Sequence, residues 1–144
     1  MRFLIINGPN INMLGIREPD VYGRQTYADL CAVIHSACGD DSYEIFQSNH
    51  EGAIVDKIQE AYGKFDAIVI NPAAYTHTSI AIPDALRSVS IPVAEVHLSD
   101  ISVREDYRRI SYVSPIAETV ICGHGINGYA EAIDFLKGKH SNEK

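Results

Sequence analysis

The stretch DAIVINPAAYTHTS, residues 66–79, joins an apolar run to a dense set of hydrogen-bonding side chains. Ala67, Ile68, Val69 and Ile70 are nearly continuous in apolar character and rich in β-branched residues, as suits a strand covered on both faces of a parallel sheet. Asn71, Tyr75, Thr76, His77, Thr78 and Ser79 then crowd the turn that follows. The carboxyl ends of parallel strands are where such sheets hold ligands. This one stretch therefore suggests both a fold class and a place to look for chemistry.

Four other runs share the character: RFLII (2–6), YEIF (43–46), VAEVH (93–97) and TVICG (119–123). Helical patterns lie between them. In 27–38, Tyr27, Leu30, Cys31, Ile34, Ala37 and Cys38 repeat at helical spacing, with Thr26 and Asp29 as a capping box and Gly39 as a stop. His35 falls off that stripe and faces solvent. Ser48 and Glu51 suggest a second box, with Ile54, Ile58, Ala61 and Tyr62 as the buried stripe behind it. A third helix is expected over about 78–89, with Pro83 in its first turns. A last helix is expected over about 127–137, with Tyr129, Ala130, Ile133 and Leu136 facing the core. The alternation predicts a doubly wound α/β domain with a five-stranded parallel sheet, and the flavodoxin-like order 2-1-3-4-5 is natural for this length. Residues 1–144 read as a single domain, with 139–144 a polar tail.

The net charge of −7, from 12 basic and 19 acidic residues, disfavours nucleic acid and anionic membranes as partners. Its distribution says more. The lysines fall on predicted helices or near the C-terminus, whereas Arg17, Arg24, Arg104, Arg108 and Arg109 fall in two long connections. Local arginines in an acidic chain suit a small anionic ligand. No apolar run approaches membrane-spanning length, and MRFLIING reads as a first strand rather than a signal peptide, so a cytoplasmic location is expected. Cys31, Cys38 and Cys122 are odd in number and lack a CxxC, which argues against a disulfide framework or zinc site. They read as small buried hydrophobes.

The two long connections, 7–25 and 98–117, leave from carboxyl ends of strands, as does 71–79. The first has Gly8, Pro9, Gly15 and Gly23 as punctuation, suiting a lid with hinges. It carries Asn7, Asn10, Asn12, Arg17, Glu18, Tyr22 and Arg24. Tyr22 either packs in the lid or serves as a base. A free tyrosine titrates near 10, and lowering that by about 2–3 units takes roughly 3–4 kcal/mol of preferential phenolate stabilisation, much of which a neighbouring Arg17 or Arg24 would supply. Glu95 and His97 are two apart, hence on one face of their strand. Either His97 is a structural strand-end group, or Glu95 fixes its tautomer and stabilises the imidazolium for general-acid work. Beyond it, the Leu98 and Ser99 N–H groups and the Ser99 hydroxyl suit a carboxylate. Arg104 and Arg108 share a face if their segment is helical. Glu105 and Arg109 would then form a surface pair. Arg108 is either an ordinary ion-pair partner or a grip on a substrate hydroxyl or carboxylate. His77 and Asp84 are seven apart, which is a weak signal by itself.

Other chemistries fit less well. GHGING (123–128) matches a dinucleotide fingerprint, but it follows the last strand and leaves no later strand for a ribose-binding acid. It reads as tight packing of a turn against a helix N-terminus. No lysine lies in the candidate loops for an imine, and no GxSxG elbow occurs. His77 and His97 lack metal-ligand spacing, so no metal is expected.

The segments INGPNINMLGIREPDVYG, FQSNHEG, INPAAYTHTS, VAEVHLSD, REDYRRISYVSPIA and GHGINGY, in this order along nearly the whole chain, closely resemble the type II 3-dehydroquinate dehydratases. The resemblance implies a single catalytic domain of flavodoxin-like fold that eliminates water from 3-dehydroquinate without a cofactor, in the shikimate pathway of aromatic amino acid biosynthesis or in quinate metabolism. It implies Tyr22 as the base beside the ketone, with Arg17 favouring its phenolate. An enolate-type intermediate follows, with Asn10 helping to hold the water that stabilises it. His97 would be the acid for the departing hydroxyl, with Glu95 behind it. Asn71, Leu98 and Ser99 match carboxylate contacts, and His77 and Arg108 match hydroxyl contacts. Asp84 matches an acid reaching the site from a neighbouring subunit, in a homo-oligomer of trimers grouped into a dodecamer. Two positions depart from the common pattern: Ala73 stands where many relatives carry Gly, and Asp100 where Asn is common. Ala73 would constrain a turn that needs positive φ, and Asp100 would bring negative charge near an anion site. The competing class is a non-catalytic flavodoxin-like module for ligand binding or signalling. A receiver of that kind needs acids at the end of the first strand, where this chain has NGPN.

Overall fold

Alternation along the first strand sets up two cores. The computed structural model describes residues 1–141, with Tyr22 described by its backbone alone. Strand β1 (Arg2–Asn7) sends Phe3 and Ile5 to one face of the sheet and Leu4 and Ile6 to the other. On the first face these residues meet Leu30 and Ile34 of helix α2 (Tyr27–Cys38) and Ile133 and Leu136 of helix α5 (Asn127–His140). On the second they meet Ile54 and Ile58 of α3 (Glu51–Glu60) and Ile82 and Leu86 of α4 (Ala81–Val89). Each such side chain contributes about 1.5–3 kcal/mol on burial. A short helix, α1 (Pro19–Tyr22), lies in the first long connection.

The remaining strands are β2 (Ser42–Gln47), β3 (Ala67–Asn71), β4 (Val93–His97) and β5 (Thr119–Cys122). All pairs are parallel, and the order is β2-β1-β3-β4-β5, as expected for the flavodoxin-like architecture. The inner strands β3 and β4 are buried throughout, while the edges β2 and β5 are only partly covered. The order reverses beside β1 and β3, so their carboxyl ends border the crevice. Gly8 lets the two loops meet there: a Cβ on it would lie 2.3 Å from the Pro72 carbonyl oxygen. Its N–H donates to the Asn71 carbonyl at 2.8 Å.

Several local expectations hold. The Thr26–Asp29 capping box forms in both directions. The 123–128 turn packs tightly, with a Gly128 Cβ position 3.2 Å from Ile121 and 3.3 Å from Val96. Others are corrected. Ser48 does not box α3; its hydroxyl accepts from the His50 N–H at 3.0 Å, and the helix begins at Glu51. Residues 48–50 are held outside the helix because Asn49 serves the neighbouring loops: its Oδ1 accepts from Asn10 N–H, and its carbonyl accepts from the Tyr75 hydroxyl. Tyr62 is exposed, since α3 has ended before it. The helix expected from residue 78 starts at Ala81, preceded by a 3-10 turn over Ala73–His77. In α5, Ala132 rather than Ala130 completes the buried stripe, and the helix runs on to His140. Cys38 is buried, whereas Cys31 and Cys122 are only half-buried; all three are free.

Candidate active site

Strand β4 delivers Glu95 and His97 to the same face. The connection after the strand folds back and places Ser111 and Ser114 against Glu95. His97 Nε2 lies 2.6 Å from Glu95 Oε2. The Ser111 hydroxyl donates to Glu95 at 2.9 Å and the Ser114 hydroxyl at 3.0 Å. A fully buried carboxylate with these donors is satisfied as an anion. Its partner nitrogen on His97 must then carry a hydrogen, which leaves Nδ1 as the imidazole's second functional atom.

His97 is one wall of a cleft also lined by Asn10, Arg17, Asn71, His77, Leu98, Ser99, Arg104 and Arg108. Among the described residues no carboxylate lines it. The acids stand at its margin. Glu18 lies 3.5 Å from Arg17, and Glu105 lies 3.6 Å from Arg104 Nε and 3.1 Å from Arg108 Nε. Three guanidinium groups around a space free of carboxylates make a site for an anion.

His77 Nδ1 lies 2.7 Å from the Ile110 carbonyl. That carbonyl can only accept, so the ring donates Nδ1–H and keeps the lone pair of its neutral form on Nε2. Burial holds the imidazole below its ordinary range, against the opposing pull of the Ile110 carbonyl. His77 is thus an acceptor suited to a hydroxyl. Asn71 is buried and fixed at both ends of its amide. Its Oδ1 accepts from the Ala73 N–H at 3.1 Å, and its Nδ2 donates to the Tyr129 hydroxyl at 3.0 Å. Ala73 takes φ +54°, so the turn does adopt the left-handed backbone that Gly would favour. It keeps the bond to Asn71 nonetheless.

The expected site residues separate into three groups. Asn10, Arg17, Asn71, His77, His97, Leu98, Ser99 and Arg108 border the cleft, and Glu95 stands behind His97. Asp84 does not border it. It is exposed on α4 and pairs with Arg87 at 3.4 Å, and the break between the 3-10 turn and α4 puts it on a different element from His77. The side chain of Tyr22 lies outside the described residues. Arg24 and Asn12 are not cleft-lining.

The segment 104–109 is not an α-helix. A 3-10 turn over Asp106–Arg108 brings i and i+3 together, so Arg109 pairs with Asp106 at 3.2 Å rather than with Glu105. Arg104 still reaches the cleft and donates to the Ser99 hydroxyl at 3.3 Å. Its share in the lining was not assigned from the sequence; its place five residues after Ser99 in one connection was the available signal. Asp100 turns away, accepting from the Ser102 N–H at 3.0 Å and hydroxyl at 2.6 Å. It caps the following turn and is not part of the lining.

The family model for class II dehydroquinases matches residues 1–137. A catabolic 3-dehydroquinase from Verticillium alfalfae is 58% identical, covering 93% of this chain and 91% of that protein. A 3-dehydroquinate dehydratase from Clostridium acetobutylicum is 54% identical, covering 95% of this chain and 96% of that protein. The crystal structure of a type II dehydroquinase from Butyrivibrio crossotus superposes with a TM-score of 0.93 at 52% identity, over 95% of this chain and 97% of the other.

Proposed function

The chain belongs to the class II dehydroquinase family, and we propose on that premise that it dehydrates 3-dehydroquinate to 3-dehydroshikimate through an enolate-type intermediate. The observation that carries the reading is the Glu95–His97 pair, buried at the end of β4, with His97 facing an arginine-lined cleft that has no carboxylate among its described lining residues.

The substrate carboxylate is held by Asn71, the Leu98–Ser99 segment and its two backbone N–H groups. The ring hydroxyls go to His77 Nε2 and Arg108. Tyr22 removes the proton beside the ketone, and Arg17 favours its phenolate. The electron pair moves onto the ketone oxygen as an enolate, which a water held by Asn10 stabilises. When the enolate collapses, the bond to the hydroxyl on the β-carbon breaks. His97 Nδ1 protonates that oxygen, and water departs, leaving the conjugated enone. Glu95, with Ser111 and Ser114 behind it, stabilises the imidazolium and orients the ring.

We extend the proposal to assembly. Asp84 is exposed on α4, away from its own cleft, which suits a role at a neighbouring subunit's site within trimers grouped into a dodecamer. Light scattering behind size exclusion tests this, and a monomer would exclude it. No helix among the described residues is long and apolar enough to cross a membrane, and a cytoplasmic enzyme is the matching proposal.

The deciding experiment is the rise in enone absorbance on adding 3-dehydroquinate to the purified protein. Turnover after exhaustive chelation, with no trapped lysine adduct on adding borohydride, is expected. A colourless, inactive protein or a borohydride adduct would sink the proposal.

A further inference from the structure

Beneath the cleft, Asn71 joins a buried polar chain whose other members the proposed chemistry does not use. The Tyr129 hydroxyl donates to Asn7 Oδ1 at 2.6 Å and accepts from Asn71 Nδ2 at 3.0 Å. Asn7 Nδ2 in turn lies 3.4 Å from the Tyr27 hydroxyl. Asn7 and Asn71 are register partners on β1 and β3, on the face covered by α2 and α5. Tyr129 comes from the first turn of α5, and its side chain is wholly buried.

The directions of these bonds are determined. Asn71 Oδ1 is taken by the Ala73 N–H, so the end of the amide facing Tyr129 must be the NH2 group. The Tyr129 oxygen, as acceptor there, spends its one hydrogen on Asn7. A flipped Asn71 would set its NH2 against the Ala73 N–H and present oxygen to a hydroxyl whose hydrogen is already committed. Both bonds would be lost in a buried site. With one Nδ2 hydrogen taken by Tyr129, the second is the group that Asn71 offers to the cleft it borders.

We infer that Tyr129 is a positioning residue for substrate binding: its hydroxyl locks the Asn71 amide with the NH2 group available to an anionic oxygen in the cleft. The inference rests on the proposed role of Asn71 as a carboxylate contact. The hydroxyl is kept neutral for this task, since burial pushes Tyr129 far above the ordinary range of a phenol.

Tyr129→Phe keeps the ring and its packing and removes only the oxygen. Loss of a ground-state contact raises KM with little change in kcat, here by about tenfold. In an Asn71→Ala background the same replacement should leave KM where Asn71→Ala alone put it. An unchanged KM in Tyr129→Phe, or an equal rise in both backgrounds, overturns the inference. A measurement on the unmutated protein stands beside it in case the variant does not fold. The nitrogen-15 spectrum should show one Asn71 side-chain hydrogen strongly protected from exchange and its geminal partner exchanging faster. Two hydrogens exchanging alike would overturn the lock. Absence of dehydroquinate turnover in the unmutated protein would instead break the functional reading, and the amide measurement would still decide whether Tyr129 holds Asn71.

Discussion

The two sides of the cleft are built from different material. On one side, Glu95 and His97 end a buried inner strand, and Ser111 and Ser114 close over the carboxylate. On the other, residues 18–21 and 23–26 are exposed and carry a single four-residue helix, α1, between Glu18 at φ +31° and Gly23 at φ +84°. The proposed acid is thus oriented by the sheet before any ligand arrives. The proposed base belongs to a segment that leans on little else in the chain. Preorganisation is strongest where burial supplies it, and a lid is placed by what it closes upon.

Perturbing each side should give opposite signatures. Tyr22→Phe should lower kcat by roughly 10²–10⁴-fold, the range for a general base, with the melting temperature unchanged. Activity near that of the unmutated protein would remove Tyr22 from the mechanism. Glu95→Ala should cost both turnover and stability. It leaves the His97 and two serine donors buried without an acceptor, a loss of about 3 kcal/mol or more by denaturant melts. A stable, merely slow variant would show that the acid side is less preorganised than its contacts imply. Glu105→Gln removes the charge shared by Arg104 and Arg108 at the cleft margin. It should lower KM about two- to fivefold with kcat held, as for a gain of uniform binding, because the acid no longer competes with an anionic substrate for the two guanidinium groups. A kcat effect would place those arginines in the transition state instead.

Two smaller tests bear on the floor of the cleft. Nitrogen-15 titration of His77 should show a neutral ring, protonated on Nδ1, down to pH values below the ordinary His midpoint of about 6.5. Because the folded value is depressed, its contribution to stability is present above that midpoint and is lost as the pH falls through the folded value. A midpoint above 6.5 would contradict the burial argument. Ala73→Gly should relieve the positive φ and stabilise the fold by about 0.5–1 kcal/mol, with KM unaffected. A large shift in KM would mean that the methyl group does displace Asn71.

Much of this was legible in the residues. The apolar runs announced five parallel strands because a strand buried on both faces has no polar positions to alternate. The spacing of Glu95 and His97 put them on one face because strand side chains repeat every second residue. The failures occurred where tertiary contacts competed with local signals. Ser48 and Glu51 have capping-box spacing, but Asn49 bonds to the loops at 10 and 75, which keeps residues 48–50 out of the helix. Arg104 and Arg108 have helical spacing, but the segment turns in 3-10 geometry, and the ion pairs shift by one residue.

By itself the sequence determined the five strands and the strand ends from which the site is made, since these follow from short-range periodicity and the fixed rise of a strand, whereas the order of the sheet was expected only from the topology common at this length. Only the tertiary structure decided what stands behind the site. Ser111 reaches Glu95 across 16 residues, and Tyr129 reaches Asn7 across 122. Neither separation has a period or a motif. Such contacts exist because packing α5 and the 98–117 connection onto the sheet brings polar groups into a dry interior, where each must find a partner.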